Sequence, residues 1–277
     1  MSGDTLYGTA SAGGAAGNGV VFSVKTNGAI FTALHSFSAM DPLTATNTDG
    51  AIPFGGLVLS NSMLYGTTTS GGQSGNGTVF SLDTNGFGFT VLHQFSSTDP
   101  VTGTNADGGA PCAALTLAGT VLYGTAPAGG IGANGTVFSV NTEGTQFNTL
   151  HSFTATDPFN GTNRDGALPV GGLLLLGNSL YGTTFNGGPG SVGTVFSLSI
   201  PYPPAGITNI VLNLDGSVTL LFLGGPNSAN IIQAATNLTP PAAWQNISTN
   251  VADGNGAWQF TETNASTSAR FYRSYAP

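Results

Sequence analysis

The sequence predicts an all-β protein: a β-propeller-like array of 58-residue, four-stranded repeats, about three and a half blades long, followed by a small β-sandwich. Three observations predict this fold. One set of motifs recurs with a constant period, each period holds four short apolar segments, and no segment carries helical periodicity over ten residues. We therefore expect a repeat domain over residues 1–199, a proline-rich linker over 200–205 and a sandwich module over 206–277.

The repeat is defined by motifs that recur every 58 residues without slippage. The segment L-Y-G-T places one tyrosine in each of four repeats, at Tyr7, Tyr65, Tyr123 and Tyr181. The segment L-H-[SQ]-F places a histidine in each of three, at His35, His93 and His151. A fixed period of this length is typical of solenoids and propellers, in which each repeat is one supersecondary unit.

Each repeat contains four predicted strands, as the second one illustrates. G-L-V-L-S and M-L-Y-G-T-T-T form a hairpin around Asn61-Ser62. T-V-F-S-L-D-T and F-T-V-L-H-Q-F form another around Asn85-Gly86, a dipeptide typical of type I′ turns. A glycine-rich stretch, 71–77, joins the hairpins, and a polar loop, 96–111, leads to the next repeat. Four strands per repeat are typical of a propeller blade.

The period ends at the proline-rich segment P-Y-P-P. Beyond it, six or seven short apolar runs alternate with polar residues, and Asp215-Gly216 predicts a hairpin turn. So many short strands in so few residues predict a small β-sandwich.

The composition excludes several classes of partner. Charged residues make up 6% of the chain, and its four basic residues are not clustered, so neither nucleic acid nor an anionic membrane surface is an expected partner. No apolar run approaches the ~20 residues of a membrane span. A charge-poor surface rich in glycine, threonine and asparagine predicts an extracellular or cell-surface protein, whose export signal, absent from this sequence, we expect to have been removed or truncated.

The repeat motifs resemble a known family. The series L-Y-G-T-T-x-G-G-x-G-N-G-T-V-F-S-L, L-H-S-F, D-G-x-x-P and G-G-L-x-L is similar to the GloVer tandem repeat of bacterial surface proteins, over residues 6–198. The resemblance implies a secreted, propeller-like repeat protein with a variable C-terminal module. It implies no activity and no functional residues. The C-terminal segment is similar to sandwich modules of other secreted bacterial proteins.

Acidic residues recur at two positions of the polar loop. Six of the twelve acidic residues lie there, and T-N-x-D-G partly matches a calcium-binding loop. Its first ligand position is filled by alanine or glycine, so the alternative is that the aspartates form turns. The candidate calcium ligands are Asp41, Asn47, Asp49, Asp99, Asn105, Asp107, Asp157, Asn163 and Asp165.

The repeated histidines and tyrosines have two interpretations each. His35, His93 and His151 could form a metal-binding or acid–base ring, or they could tie each blade together by hydrogen bonds, which the repeat positions favour. The four repeat tyrosines could stack on sugars, or they could be packing residues, which their place on a strand favours.

The function indicated is a secreted or cell-surface repeat scaffold that binds carbohydrate or a protein partner. No catalytic motif is present, and equivalent repeats favour a scaffold over an active site, so we expect no enzyme activity. Two alternatives stay open: a carbohydrate-active propeller enzyme that uses the loop aspartates, and a purely structural surface-layer component. Open blade edges also predict self-association.

Overall fold

The computed structural model of the chain describes residues 3–200, 206–224, 229–237, 243–253, 256–263 and 270–275. These residues form β-strands, turns and loops, so the prediction of an all-β protein is confirmed. In the described part of the chain, no helix is long and apolar enough to cross a membrane. The chain divides into two compact units, Met1–Leu175 with Leu180–Leu198, and Leu176–Ser179 with Ser199–Pro277. Residues 201–205 of the predicted linker lie outside the described residues.

The first unit is a series of small antiparallel sheets, one for each repeat. The two middle repeats form four-stranded sheets, and the first and fourth form three-stranded sheets within the described residues. In chain order the strands are β1 (Thr5–Ala10), β2 (Val20–Lys25), β3 (Phe31–Ser36); β4 (Val58–Ser60), β5 (Met63–Thr68), β6 (Thr78–Asp83), β7 (Thr90–Gln94); β8 (Thr116–Ala118), β9 (Val121–Ala126), β10 (Thr136–Asn141), β11 (Phe147–Ser152); β12 (Leu174–Leu176), β13 (Ser179–Thr183), β14 (Val195–Ser199).

A glycine lies opposite a phenylalanine in every sheet of the first unit. Gly66 on β5 lies opposite Phe80 on β6, and a Cβ on this glycine would lie 2.6 Å from the Phe80 ring. The other three repeats place a phenylalanine ring against the glycine of L-Y-G-T in the same way. The ring of Phe80 is fully buried, and removing such a ring costs about 3–5 kcal/mol. This glycine is therefore required by packing.

Consecutive repeats pack against each other and bury a common core. Tyr7 and Val21 of the first repeat pack with Leu64 and Phe80 of the second. The second and third repeats meet through the equivalent residues, Tyr65 and Val79 against Leu122 and Phe138. Sheets that follow one another in this way form the predicted propeller-like arrangement, so this prediction is confirmed.

The second hairpin of the repeat closes with a different turn from the predicted type I′. The Gly86 N–H donates to the Asp83 carbonyl at 2.9 Å, and the Asp83 N–H donates to the Phe87 carbonyl at 3.1 Å. Gly86 has a positive φ of 87°, whereas Asn85 is not among the residues with positive φ. A type I turn followed by one left-handed glycine therefore connects the strands. The extra residue makes the type I′ prediction wrong.

The described residues of the second unit form two three-stranded antiparallel sheets. Their strands are β15 (Gly206–Leu212), β16 (Val218–Leu223), β17 (Ala229–Ala235), β18 (Gln245–Val251), β19 (Ala257–Glu262) and β20 (Phe271–Tyr275). One sheet has the order β15-β16-β19 and the other β18-β17-β20. Phe222 on β16 stacks on Trp258 on β19 at 3.9 Å, and both lie in one core with Ile232 of the other sheet. This is the predicted small sandwich.

Candidate functional site

Each of the first three repeats joins its histidine to an aspartate of the following loop. His35 Nε2 lies 3.0 Å from Asp49 Oδ2, the Ser38 backbone N–H donates to the same oxygen at 3.0 Å, and the Ser38 hydroxyl also bonds this carboxylate. Because an ionised carboxylate only accepts, Nε2 carries the shared proton. We call this group the loop clamp. The other two clamps are His93, Ser96 and Asp107, and His151, Thr154 and Asp165.

The clamp joins the end of a strand to the far end of the loop that follows it. His35 lies on β3, and Asp49 lies 14 residues further along the chain. Asp49 and Asp107 are each only 9% exposed. A buried carboxylate is stable only when it is hydrogen-bonded or paired, so these two aspartates are structural anchors of the loop.

In the second and third clamps, hydrogen bonds keep the aspartate ionised. Burial raises the pKa of the Asp107 carboxyl, but hydrogen bonds from His93 and from the side chain and backbone of Ser96 outweigh burial, so this pKa lies below its usual value. The pKa of Asp165 is lowered in the same way: burial opposes the shift, and bonds from Thr154 and His151 outweigh burial. The carboxylates of Asp107 and Asp165 are therefore ionised at neutral pH.

The histidine rings of the first two clamps also connect neighbouring repeats. The ring of His35 stacks on Phe89 of the second repeat, with centroids 3.8 Å apart and planes 8° apart. His93 stacks on Phe147 of the third repeat at 3.6 Å and 9°. The third clamp histidine is edge-on to Phe153 of its own repeat. The first two clamps thus stabilise the loop and the junction between repeats together.

An asparagine in each loop holds the glycine-rich stretch of the next repeat. The side-chain oxygen of Asn47 accepts the N–H groups of Gly50 at 2.9 Å and of Gly72 at 2.8 Å. Its amide group donates to the carbonyls of Ser38 and Gly50. Asn105 and Asn163 make the same four contacts in the next two loops.

The first acidic position of the loop presents an apolar side chain to solvent. The Asp41 carboxylate accepts the backbone N–H groups of Leu43 and Thr44, each at 2.9 Å, and these bonds lower its pKa. Asp99 and Asp157 form the same turn. The second residue after each aspartate is almost fully exposed: Leu43 is 94%, Val101 is 91% and Phe159 is 96% exposed. We call these three residues the loop tips.

The predicted calcium ligands are divided between these separate roles. Asp49 lies in the clamp, Asn47 binds the glycine-rich stretch, and Asp41 caps the turn below the loop tip. Within the described residues, no three His, Cys, Asp or Glu side chains are grouped so that they could hold a metal ion. A groove of about 290 Å³ beside the first loop is lined by Asn18, Met40 and Asp41, among others, and Asp41 is its only acidic lining residue. Calcium binding stays a prediction.

The loop clamp contains serine, histidine and aspartate but differs from a hydrolase triad. In a triad the histidine lies between the other two residues and takes the proton of the hydroxyl. Here the carboxylate of Asp49 lies in the middle and binds both His35 and Ser38. The hydroxyl donates to the carboxylate, so the clamp gives the histidine no serine proton to accept.

The repeat tyrosines differ in exposure from one end of the array to the other. Tyr65 and Tyr123 are buried between repeats, and burial raises the pKa of each phenol. Tyr7 is half-buried, and Tyr181 is exposed. The two middle rings are packing residues and are not available for stacking on a sugar.

Sequence reasoning treated the histidines and the aspartates as separate features. The signal that pairs them is their constant separation of 14 residues in all three loops. The loop tips were missed because leucine, valine and phenylalanine share no motif. Only their position, two residues after the first aspartate, identifies them.

Sequence comparison identifies one family. The model of the Gloeobacter/Verrucomicrobia repeat matches residues 1–105 and 43–239. No curated protein shows a significant match to the chain.

Structural comparison gives distant similarities. The crystal structure of a nidogen/laminin complex has a chain 14% identical, with a TM-score of 0.39, covering 89% of this chain and 75% of that one. TolB from Acinetobacter baumannii is 12% identical, with a TM-score of 0.39, covering 94% of this chain and 53% of its own. A putative 6-phosphogluconolactonase from Bacteroides fragilis is 14% identical, with a TM-score of 0.35, and the match covers 91% of this chain and 68% of that one.

Proposed function

The chain belongs to the Gloeobacter/Verrucomicrobia repeat family, and we propose that it is an extracellular or cell-surface scaffold whose loop tips bind a neutral carbohydrate polymer. The observation that carries this proposal is the repeated loop tip. Leu43, Val101 and Phe159 stand at one position of three equivalent loops and are almost fully exposed. Loops that a rigid scaffold holds in place commonly carry the residues of a binding site.

The loop clamps support binding because they fix the loops before a ligand arrives. Each loop is anchored at its far end by the clamp aspartate and at the Gly-rich stretch by its asparagine. A loop that is already ordered loses little conformational entropy when it binds. The tips are therefore presented by a rigid frame.

The spacing and the charge of the surface favour a neutral, repetitive ligand. Equivalent loops place their tips at equivalent positions of successive repeats, and a polymer can engage several of them at once, which raises its effective affinity. Each tip follows an exposed aspartate, and the chain has a net charge of −8, so an anionic polymer would be repelled.

The geometry favours binding over hydrolysis by the loop aspartates. A glycosidase needs two free carboxyl groups on either side of the scissile bond. Asp49 and its equivalents each accept bonds from a histidine and from a serine or threonine, and Asp41 and Asp99 each cap a turn of their own loop. We therefore propose no catalytic role for them.

Binding to a panel of soluble neutral polysaccharides tests the proposal. The panel comprises a glucan, a mannan and a xylan, measured by isothermal titration calorimetry with the wild type and with a variant carrying Leu43→Ser, Val101→Ser and Phe159→Ser. We expect binding of at least one polysaccharide, weakened about tenfold or more, or roughly 1.4 kcal/mol, in the variant.

The matched control is Phe87→Ser, which removes another exposed apolar side chain from the turn at the opposite end of β7. This control should bind like the wild type. Equal binding by the loop-tip variant would overturn the proposal, as would the absence of binding to every polysaccharide. Release of reducing ends from a bound polysaccharide would instead support the carbohydrate-active enzyme.

A further inference from the structure

One face of the fourth repeat is uncovered, although the same face is buried in the first three. Val21, Val79 and Val137 occupy one position of the repeat and have no exposed surface, whereas Val195 at this position is 81% exposed. Tyr181 and Thr183 are exposed on the same sheet, while their equivalents in the second and third repeats are buried. We call Tyr181, Thr183 and Val195 the leading face.

The first repeat exposes the opposite half of the junction. Leu64 and Phe80 of the second repeat, and Leu122 and Phe138 of the third, are fully buried against the preceding repeat. Their equivalents in the first repeat are Leu6, which is exposed, and Phe22, which is half-buried. Phe31 is the equivalent of the phenylalanines that stack on clamp histidines, and it is 62% exposed. We call Leu6, Phe22 and Phe31 the trailing face.

The interior of the chain shows what covers each of these faces. Between the second and third repeats, Tyr65 and Val79 pack against Leu122 and Phe138. A hydrogen bond from the Thr67 hydroxyl to the Ala113 carbonyl, 3.2 Å long, crosses the same junction. Equivalent bonds, from Thr9 to Gly55 and from Thr125 to Gly171, cross the other two at 2.9 Å. The partner of a leading face is thus a trailing face.

We propose that the leading face of one copy docks on the trailing face of a second copy, so that the chains associate head to tail. The contact would continue a junction that the chain already builds between its own repeats. None of the six residues of the two faces is charged, so their burial requires no ion pair. A head-to-tail contact uses two different surfaces, which closes a ring when the rotation allows it and propagates otherwise.

Sedimentation equilibrium over a concentration series tests this proposal with single substitutions. We expect the wild type to form multiples of the chain mass as its concentration rises. Val195→Asp places a charge on the leading face and Phe31→Asp places a charge on the trailing face. Burying either charge in the contact is unfavourable, so each variant alone should stay monomeric. Both substituted side chains are exposed, so both variants should fold, which a far-UV circular dichroism spectrum checks.

Mixing the two variants distinguishes head-to-tail contact from a symmetric one. The leading face is unaltered in Phe31→Asp and the trailing face is unaltered in Val195→Asp. These two unaltered faces can dock on each other once, so an equimolar mixture should form dimers and nothing larger. The matched control Val101→Asp places the same charge on a loop tip and should assemble like the wild type.

Three results would overturn the proposal: a wild type that is monomeric at every concentration, assembly that survives either face variant, or a loss of assembly in the Val101→Asp control. The readout is mass without any polysaccharide, so failure here is separate from failure of the proposed carbohydrate binding.

Discussion

Replacing Asp107 by alanine removes the acceptor at the centre of the second loop clamp. In the native chain its carboxylate receives the His93 Nε2 proton at 3.0 Å, the Ser96 backbone N–H at 3.0 Å and the Ser96 hydroxyl. Asp107 is only 9% exposed and the His93 side chain is mostly buried, whereas Ser96 is exposed, so water reaches the serine donors more easily than the histidine. The substitution therefore tests whether the clamp stabilises the repeat.

The expected loss comes mainly from the His93 Nε2–H donor, because the donors of the exposed Ser96 can bond to water. A buried donor without a partner costs about 1–3 kcal/mol, and the Ser96 hydroxyl can rotate toward another acceptor. The His93 side chain is partly exposed and recovers some bonding to water. One such donor predicts that Asp107→Ala lowers the free energy of unfolding by about 1–3 kcal/mol.

The matched control is Asp99→Ala, which removes the other aspartate of the same loop. Asp99 is fully exposed, and water can replace it as acceptor for the backbone N–H groups that it caps. Urea denaturation followed by far-UV circular dichroism compares the two variants. Both tryptophans of the chain lie in the C-terminal sandwich region, so their fluorescence reports on that part separately. Equal losses in the two variants, or no loss in Asp107→Ala, would refute the structural role of the clamp.

Acid pH, a glycine substitution and calcium test three other features of the loops. The folded-state pKa values of Asp107 and Asp165 lie below the unfolded value of about 3.9. The stability that these two carboxylates give the fold is therefore complete above about pH 3.9 and is lost as the pH falls through the folded pKa. Urea denaturation at graded acid pH should show this decline, and an Asp107→Asn variant should show less of it. Gly108→Ala should destabilise the fold far more than Gly28→Ala. Both glycines have positive φ, but only at Gly108 would the new Cβ lie 2.4 Å from the Thr136 hydroxyl oxygen. Thermal melts of the two variants measure the difference, and similar shifts in melting temperature would contradict it. A thermal melt with calcium and with a chelator tests the predicted calcium ligands. At a hundredfold excess over its dissociation constant a bound ion would add about 2.7 kcal/mol, so a rise of several degrees in melting temperature would confirm calcium binding. The absence of a shift would assign the Asp49 carboxylate to its three hydrogen bonds alone.

The repeat and its strands could be predicted from the sequence because local pattern determines them. The glycine of L-Y-G-T and the phenylalanine of T-V-F-S recur with one period, and their cross-strand contact needs only the hairpin register. The turn at Asn85-Gly86 shows where local preference fails. The dipeptide alone favours type I′, but the hydrogen bond between Asp83 and Phe87 closes a loop with one more residue, and within the dipeptide only Gly86 is left-handed.

The candidate site could be predicted only in part because it depends on contacts between distant residues. His93 and Asp107 are separated by 14 residues, and no local rule brings a strand histidine to the end of the following loop. Asp99 and Asp107 look alike in the sequence, since both precede a turn-forming residue. In the structure one is exposed and the other is buried, because only Asp107 lies within reach of the histidine ring.

The loops separate the residues that hold them from the residues that they display. The clamp consists of histidine, aspartate and a serine or threonine in all three repeats, whereas the loop tips are Leu43, Val101 and Phe159. A change at a tip alters no contact of the clamp, because the tip bonds to the frame only through its backbone N–H. The clamp therefore sets where a contact can form, and the tip sets what chemistry it offers, so repeats of one architecture can differ in the part of a ligand that each contacts.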